Sequence, residues 1–285
     1  MGIGPGVLTM GTVGLVTDSS ACLPAQIADR AGIGVVPVTI HLSSRVVPGD
    51  DPVAARLVYD ALRRDEPVKS SAPTPLEYLQ AIDDLEVDSV IVVVPAEEFT
   101  VMRRNAMVGA GLARHPVTVV DSRTAASAQG LVVGAAAAAI AAGGSHDDVV
   151  EVIEDASRRA ELVAMLDQLR YVRRSGRVSA AALGLAEELG IKPVFRLRDG
   201  RVERVAIPRS EGAALERIAR EAARHGLPQG DGAVVFHASS PARADRLVGR
   251  LGVTAPPVEF SPGMGIHTGP GVAGVAWLRR SSSQA

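Results

Sequence analysis

His267 lies within a glycine-rich stretch, GMGIHTGPGVAG, that covers residues 263–274. Glycine lets the backbone approach a ligand closely and lets successive N–H groups converge on an anion. An imidazole in such a place can hold a charge or move a proton. The stretch indicates a small-molecule site, and a turn between two strands is the alternative interpretation.

Three arginines cluster around Gly176 in YVRRSGRVS, residues 171–179. They are Arg173, Arg174 and Arg177, and guanidinium groups beside a flexible glycine suit a phosphate or a carboxylate. Basic residues are also common at the solvated C-terminal end of a helix. The cluster alone leaves both interpretations open.

Hydroxyl groups occur in two further stretches, DSSAC at residues 18–22 and KSSAPTP at residues 69–75. The first offers serines and a cysteine as nucleophiles, but no G-x-S-x-G sequence surrounds them. It is more typical of a hydroxyl turn that caps the next helix and can also touch a ligand. The second, with Ser70 and Ser71 ahead of two prolines, is typical of a loop and a helix N-cap.

Neither a metal nor a nucleotide cofactor is expected. The other five histidines lack the spacing of zinc ligands, and one cysteine, Cys22, excludes an internal disulfide and a cysteine-only metal cluster. The stretch GIGPG near the start lacks the Lys-Ser/Thr of a phosphate-binding loop and precedes its strand.

Composition narrows the class of protein. The 285 residues are 47% hydrophobic with a net charge of −2, and the basic residues form no block, which argues against nucleic-acid binding. A single cysteine fits the reducing cytoplasm, and the start shows no secretory signal. The longest uncharged run, residues 125–144, is alanine-rich and predicts a buried helix rather than a membrane span.

The elements that must position these residues alternate between strands and helices. Nearly continuous β-branched runs at residues 12–18, 34–40, 88–94 and 116–121 predict strands buried on both faces, with helical patterns between them. We therefore predict an α/β fold with a mostly parallel N-terminal sheet and helices on both faces. Polar turns follow three of these strands, and in such sheets ligands bind at that edge. The turns are Asp18-Ser19-Ser20, Pro95-Ala96-Glu97 and Asp121-Ser122.

The character of the chain changes near residue 160. We predict an N-terminal α/β domain over residues 1–160, with residues 1–9 as a disordered extension, and a C-terminal α/β domain over residues 161–285. In the second half, Asp199-Gly200 between two β-like arms predicts a hairpin.

Seven fragments in sequence order resemble the DegV family, the bacterial fatty-acid-binding proteins that partner a fatty acid kinase. The resemblance covers residues 12–278, and although no fragment is decisive alone, the seven together are highly specific. They are VTDSSACLP, KSSAPTP, VDSRTAASAQG, LRYVRRSGRVS, IKPVFRLRDGRV, IPRS with Arg209, and HTGPGVAGV.

The resemblance implies a carrier rather than an enzyme. The acyl chain of a long-chain fatty acid would lie between two α/β domains, with its carboxyl group at the crevice predicted from the strand ends. A separate ATP-dependent kinase would convert that carboxyl group to an acyl phosphate, which the carrier takes onward. The bound fatty acid is then the only expected ligand, the location is the cytoplasm, and any membrane contact is transient.

The resemblance also assigns roles to residues. Ser70 and Ser71 would hydrogen-bond the carboxyl group, and His267 and Thr268 would lie beside it. Arg177 and Arg209 match arginines implicated in holding the phosphate or in contacting the kinase. Asp18, Ser19 and Ser20 would form a turn at the crevice.

One segment departs from the family pattern. After the third strand the family reads Ser-Ser-x-Leu-Ser-Gly-Thr, with a serine that binds the carboxylate, whereas this chain reads AEEFTVM at residues 96–102. With Ala96 and Glu97 there, either Ser70, Ser71 and the backbone hold the carboxylate alone, or the ligand has a neutral head group. In the first case, Ala96→Ser should strengthen palmitate binding.

Two alternatives to the fatty-acid carrier remain. One is a carrier of a different apolar molecule with a neutral head group. The other is a small hydrolase or transferase that uses Ser19, Ser20 or Cys22 with His267, which requires the nucleophile within hydrogen-bond reach of the imidazole.

Overall fold

A computed structural model describes residues 12–51, 53–179, 183, 190–228 and 232–280. The extension predicted for residues 1–9 lies outside this part of the chain. Among the helices of the described residues, none has the length and apolarity that crossing a membrane requires.

The N-terminal half contains a four-stranded parallel sheet with strand order β2-β1-β6-β7. Its strands are β1 (Val13–Asp18), β2 (Ile33–Val36), β6 (Ser89–Val94) and β7 (Val117–Asp121). The five residues from Val90 to Val94 are fully buried, as expected of a central strand covered by helices on both faces. The predicted parallel α/β architecture is confirmed.

The prediction of one strand over residues 34–40 is wrong. The chain leaves the parallel sheet after Val36, because Pro37 has no N–H group to continue the ladder. A separate antiparallel sheet then forms, with order β4-β3-β5. Its strands are β3 (Thr39–Leu42), β4 (Val46–Pro48) and β5 (Val68–Ser71).

Helices connect and cover these strands. Thr74 and Ser145 each cap a helix through a capping box, with Glu77 and Asp148 as the reciprocal partners. The alanine-rich run forms a helix, α5, eight of whose residues are buried. The helices are α1 (Ala25–Arg30), α2 (Ala54–Arg63), α3 (Pro75–Asp83), α4 (Met102–Ala110), α5 (Ala126–Ala141) and α6 (His146–Arg159).

The C-terminal half contains a six-stranded sheet with order β10-β9-β8-β13-β11-β12, antiparallel except for the β11–β12 pair. The sequence-based boundary near residue 160 falls where α6 passes into β8. The strands are β8 (Ala160–Met165), β9 (Val194–Arg198), β10 (Arg201–Ala206), β11 (Ala233–His237), β12 (Val258–Glu259) and β13 (Ala273–Leu278). The helices are α7 (Leu169–Ser175), α8 (Glu211–Arg224), α9 (Pro241–Leu251) and α10 (Pro262–Thr268).

The first half of the glycine-rich stretch is helical. Residues 263–268 belong to α10, residues 269–272 connect it to β13, and residues 273 and 274 begin that strand. The glycines of α10 let the helix lie against its neighbours. A Cβ atom on Gly265 would lie 2.5 Å from the hydroxyl oxygen of Tyr59 on α2. Gly269, at φ 80°, ends the helix against the ring of Tyr171. His267 is thereby held on a short helix packed between the two halves.

The β9–β10 hairpin joins the two halves. Asp199 and Gly200 form its tip, as predicted, with positive φ at both residues. The Gly200 N–H donates to the Arg123 carbonyl at 2.6 Å, and Arg123 forms an ion pair of 2.8 Å with Asp199. One apolar core cluster runs continuously through all three sheets.

Candidate functional site

A cavity of about 490 Å³ lies between the strand ends of the four-stranded parallel sheet and one face of the six-stranded sheet. We call the apolar side chains from the six-stranded sheet the apolar wall: Leu162, Ala164, Leu166, Phe195, Leu197 and Val202. We call four polar side chains from the other elements around the cavity the polar wall: Ser20, Ser70, His267 and Thr268. A loop that includes Phe99 and Val101 also lines the cavity.

Strand alternation produces the apolar wall. Residues i and i+2 of a strand share one face, so Leu162, Ala164 and Leu166 of β8 and its continuation all line the cavity. The register places Ala164 opposite Phe195 and Leu162 opposite Leu197 on β9. Together they form a continuous apolar surface wide enough for a long alkyl chain.

Ser70 and His267 form the centre of the polar wall, although 197 positions separate them in sequence. The Ser70 hydroxyl lies 3.0 Å from His267 Nε2. Burial lowers the pKa of His267 to about 4, and the positive charge of Arg177 adds to the shift. The imidazole is therefore neutral at pH 7, and the pair offers hydrogen bonds rather than a full charge.

Strand geometry separates Ser70 from Ser71. Ser70 pairs with Ile40 in the β3–β5 ladder and lines the cavity. Ser71, the next residue, points to the other face, where its hydroxyl lies 2.7 Å from His41 Nε2. Of the two serines assigned to the head group from the resemblance, only Ser70 lines the cavity.

Of the three residues in the predicted crevice turn, only one faces the cavity. Ser20 lines the cavity, whereas Ser19 accepts a hydrogen bond of 2.9 Å from the Val38 N–H. Asp18 lies fully buried behind Ser20 and accepts hydrogen bonds from its N–H at 2.9 Å and from its hydroxyl. Burial raises the pKa of Asp18 to about 6, and the hydrogen bonds from Ser20 and Gln129 offset part of the effect.

The two arginines assigned to phosphate or kinase contact lie in different places. Arg177 lines the cavity beside His267 and is exposed on its outer side. Arg209 follows β10, is exposed, and is not part of the cavity lining. A further arginine, Arg196, borders the cavity, but its guanidinium contacts Glu203 and His225 at 2.6 and 2.7 Å.

The departure at residues 96–102 leaves the cavity intact. Ala96 is fully buried and does not line the cavity. Its N–H donates to the Thr124 carbonyl at 2.8 Å. Glu97 points outward and forms an ion pair of 2.6 Å with Arg103. The carboxylate of Glu97 therefore does not face a ligand in the cavity.

The groups suggested for nucleophilic catalysis have other partners. The Cys22 thiol contacts the Ser20 carbonyl and Ser261, and burial raises its pKa to about 11. His267 instead pairs with Ser70 at a distance typical of a nucleophile and its base, but a pKa near 4 makes this imidazole a weak base at neutral pH. The described residues include no group of three or more side chains arranged to hold a metal ion.

Sequence reasoning missed Gln129 and the apolar wall. Gln129 is fully buried on α5, where its amide donates to Thr17 at 3.1 Å and to Asp18 at 3.3 Å. As a single amide within an alanine-rich helix, it carried a recognisable signal. The apolar wall carried none, because its alternating pattern is that of any half-buried strand.

Comparison with known proteins identifies the family. The model of a family described as uncharacterised proteins of the DegV family matches residues 12–280. A DegV domain-containing protein of Streptomyces coelicolor is 33% identical over 272 residues, which cover 92% of this chain and 97% of that protein. The chain belongs to the DegV family.

Solved DegV structures share the fold. A DegV family protein from Thermus thermophilus, described by its fatty acid binding, matches with a TM-score of 0.86 and 25% identity over 94% of this chain and 99% of its own. DegV of Bacillus subtilis, described as a fatty acid binding protein, matches with a TM-score of 0.83 and 23% identity over 95% of this chain and 100% of its own. The arrangement of the three sheets is thus the DegV fold.

Proposed function

We propose that the chain is a carrier that binds a long-chain fatty acid, with the acyl chain against the apolar wall and the carboxyl group at the polar wall. The observation that carries the proposal is the cavity itself, which is apolar along one side and ends at the Ser70–His267 pair. The fatty acid binding described for the Thermus thermophilus relative supports the same ligand class.

Burial of the chain supplies the affinity in this proposal. Each buried methylene contributes about 0.8 kcal/mol, so ten of them contribute roughly 8 kcal/mol, which corresponds to a micromolar dissociation constant. The polar wall then sets the orientation. When Nε2 of neutral His267 donates to Ser70, the Ser70 hydroxyl is free to donate to the carboxyl group.

We further propose that the carrier presents this carboxyl group to an ATP-dependent fatty acid kinase in the cytoplasm and holds the acyl phosphate that forms. Arg177 supports the role, because it lines the cavity near His267 and is exposed on its outer side. A guanidinium group there can pair with a phosphate at the cavity entrance. Any exchange of lipid with a membrane is transient in this scheme.

The first experiment is native mass spectrometry of protein purified from a bacterial host, followed by chloroform extraction and identification of the bound molecule. The expected result is one long-chain fatty acid of 16–18 carbons per chain, as for the bulk of bacterial acyl groups. An empty cavity, or a lipid with a neutral head group, would contradict the fatty-acid proposal.

The kinase step needs its own test. With a bacterial fatty acid kinase, ATP and the loaded carrier, we expect acyl phosphate, detected as a hydroxamate after reaction with hydroxylamine. Arg177→Gln should lower the rate while the amount of bound fatty acid stays the same. A normal rate in this variant would remove Arg177 from the proposal.

A hydrolase or transferase built on the Ser70–His267 pair predicts a different outcome. Incubation with an activated acyl ester would add an acyl group to the protein, and intact mass would detect it. We expect no adduct, because a neutral imidazole with a pKa near 4 activates a serine poorly.

A further inference from the structure

The polar wall contains a second hydroxyl group, on Ser20, to which the proposed function gives no role. The Ser20 side chain lines the cavity, and the Asp18 carboxyl group lies directly behind it with no exposed surface. A fully buried carboxyl group one hydroxyl away from a ligand cavity affects what that hydroxyl can offer a ligand.

The direction of the hydrogen bonds decides whether the Ser20 hydroxyl acts as a donor or as an acceptor towards a ligand. Asp18 accepts from the Ser20 N–H at 2.9 Å and from the Ser20 hydroxyl, and Gln129 donates to its other oxygen at 3.3 Å. A hydroxyl group has one proton, and here it points to the Asp18 carboxylate, with the Gln129 side-chain oxygen at 3.4 Å as a second acceptor. The Ser20 oxygen therefore presents only lone pairs to the cavity and binds a hydrogen-bond donor.

Ser20 and the Ser70–His267 pair line the same cavity. The turn that carries Ser20 packs against the start of α10, because the Ser261 N–H donates to the Cys22 thiol at 3.4 Å and the two side chains lie 3.7 Å apart. His267 lies on the same short helix, so the elements that carry Ser20 and His267 are in direct contact. A carboxyl group in the cavity has two oxygens, one for each set of contacts, each with a hydrogen bond of about 2.8 Å.

We propose that the bound fatty acid is held as the neutral acid, with its O–H donating to Ser20 and its carbonyl oxygen accepting from the Ser70–His267 pair. Asp18 and the ligand then share one proton through Ser20. This inference rests on the proposed function, because it requires a carboxylic acid as the ligand. It makes Asp18 a positioning residue, since Asp18 acts only through Ser20.

The surrounding charges favour this state. Asp18 is bonded to Ser20 and Gln129, and the titratable groups that sense its charge are Cys22 and Tyr78, neither of which is a cation. Two carboxylates one hydroxyl apart repel each other, so one of them keeps a proton. His267 is neutral, and the charge that acts on it is that of Arg177, an exposed residue. Arg196 also borders the cavity, but its charge is paired with Glu203.

Proton uptake on binding tests the inference. At pH 7.5 free laurate is ionised, and so is Asp18 with a pKa near 6. Binding should then take up close to one proton per laurate, measured by calorimetry in two buffers of different ionisation enthalpy. Laurate affinity should fall as pH rises above 6, by up to tenfold per pH unit. Dodecanamide, a neutral analogue with both a donor and an acceptor, should bind without proton uptake and independently of pH.

Two variants complete the experiment. Asp18→Asn removes the negative charge behind Ser20, so the ligand no longer has to gain a proton on binding, and proton uptake should fall towards zero. Asp121→Asn is the matched control, since Asp121 ends the parallel strand β7 but does not line the cavity, and uptake should stay near one. If Asp18→Asn fails to fold, proton uptake by the wild-type protein with laurate and with dodecanamide still tests the inference.

The outcomes separate the two proposals. Failure of the wild-type protein to bind laurate would overturn the proposed function itself. Tight binding of laurate with no proton uptake and no pH dependence would leave the carrier in place and overturn the shared proton.

Discussion

The two walls of the cavity come from different kinds of position in the fold. The polar wall is built near the ends of strands and of a short helix, where hydroxyl groups and an imidazole come together. The apolar wall is the face of a sheet, where alternation places an apolar side chain at every second position. The ends of strands and helices thus supply a few directional hydrogen bonds, and the face of a sheet supplies apolar contact area. A carrier for an amphipathic ligand needs both, and the packing of two sheets provides them in one cavity.

The largest expected effect comes from filling the apolar wall. Ala164 lies in the middle of it, so Ala164→Phe should displace about four methylenes of a palmitate chain. At about 0.8 kcal/mol each, binding should weaken roughly 100-fold, while octanoate is bound almost as before. Titration with both acids measures the difference, and Ala164→Ser is the control of similar size. An equal loss for both acids would mean that Ala164 does not contact the distal part of the chain.

The next effect concerns the polar wall and uses two adjacent serines. Ser70→Ala removes a donor to the carboxyl group and should weaken palmitate binding about tenfold. Ser71→Ala removes the hydroxyl that contacts His41 outside the cavity, and it should leave palmitate affinity unchanged. Equal losses in the two variants would show that the head group does not contact Ser70.

The polar wall titrates and the apolar wall does not, which predicts a difference in stability with pH. Burial lowers the pKa of His267 from 6.5 to about 4, so the unfolded chain binds its proton more readily than the folded protein does. The contribution of His267 to the free energy of unfolding should therefore be fully present above pH 6.5 and should decline as the pH falls towards 4.

Urea unfolding of the wild-type protein and of His267→Gln, each at pH 7 and at pH 4.5, measures this contribution. From pH 7 to pH 4.5 the free energy of unfolding of the wild-type protein should fall by about 2 kcal/mol more than that of the variant. An identical pH dependence in both proteins would show that His267 is accessible to protons in the folded state.

The smallest effect is expected at Ala96, where the sequence suggested a gain. The family pattern has a serine there, but Ala96 is fully buried and does not line the cavity. Ala96→Ser should therefore change palmitate affinity less than twofold in a direct titration. A tenfold gain would mean that the loop at residues 96–102 rearranges to bring this position to the ligand.

The sequence was sufficient for the parallel sheet, the long buried helix and the Asp199-Gly200 hairpin, because each depends on local periodicity or turn chemistry. It was insufficient where a tertiary contact decides. Ser70 and Ser71 have the same local pattern, and only the β3–β5 register shows which one faces the cavity.

The glycine-rich stretch illustrates the same limit. Glycine disfavours a helix in isolation, so no helix was predicted there, and a turn between strands was the alternative to a ligand site. Close packing against Tyr59 and Tyr171 requires residues without a Cβ atom, and it outweighs that preference. The interpretation of His267 as a site residue did not depend on helix or turn.

The position of β13 has a consequence for synthesis. This strand, formed by residues 273–278, lies inside the six-stranded sheet, between β8 and β11. While a ribosome is still translating, β8 can pair with β9 and β11 with β12, but the edges of β8 and β11 that β13 later covers stay open. The sheet, the apolar wall and the seat of His267 are thus completed together, after nearly the whole chain has emerged. A chain that ends before residue 273 would leave two separate parts of the sheet, each with an unpaired strand edge that can pair with another chain.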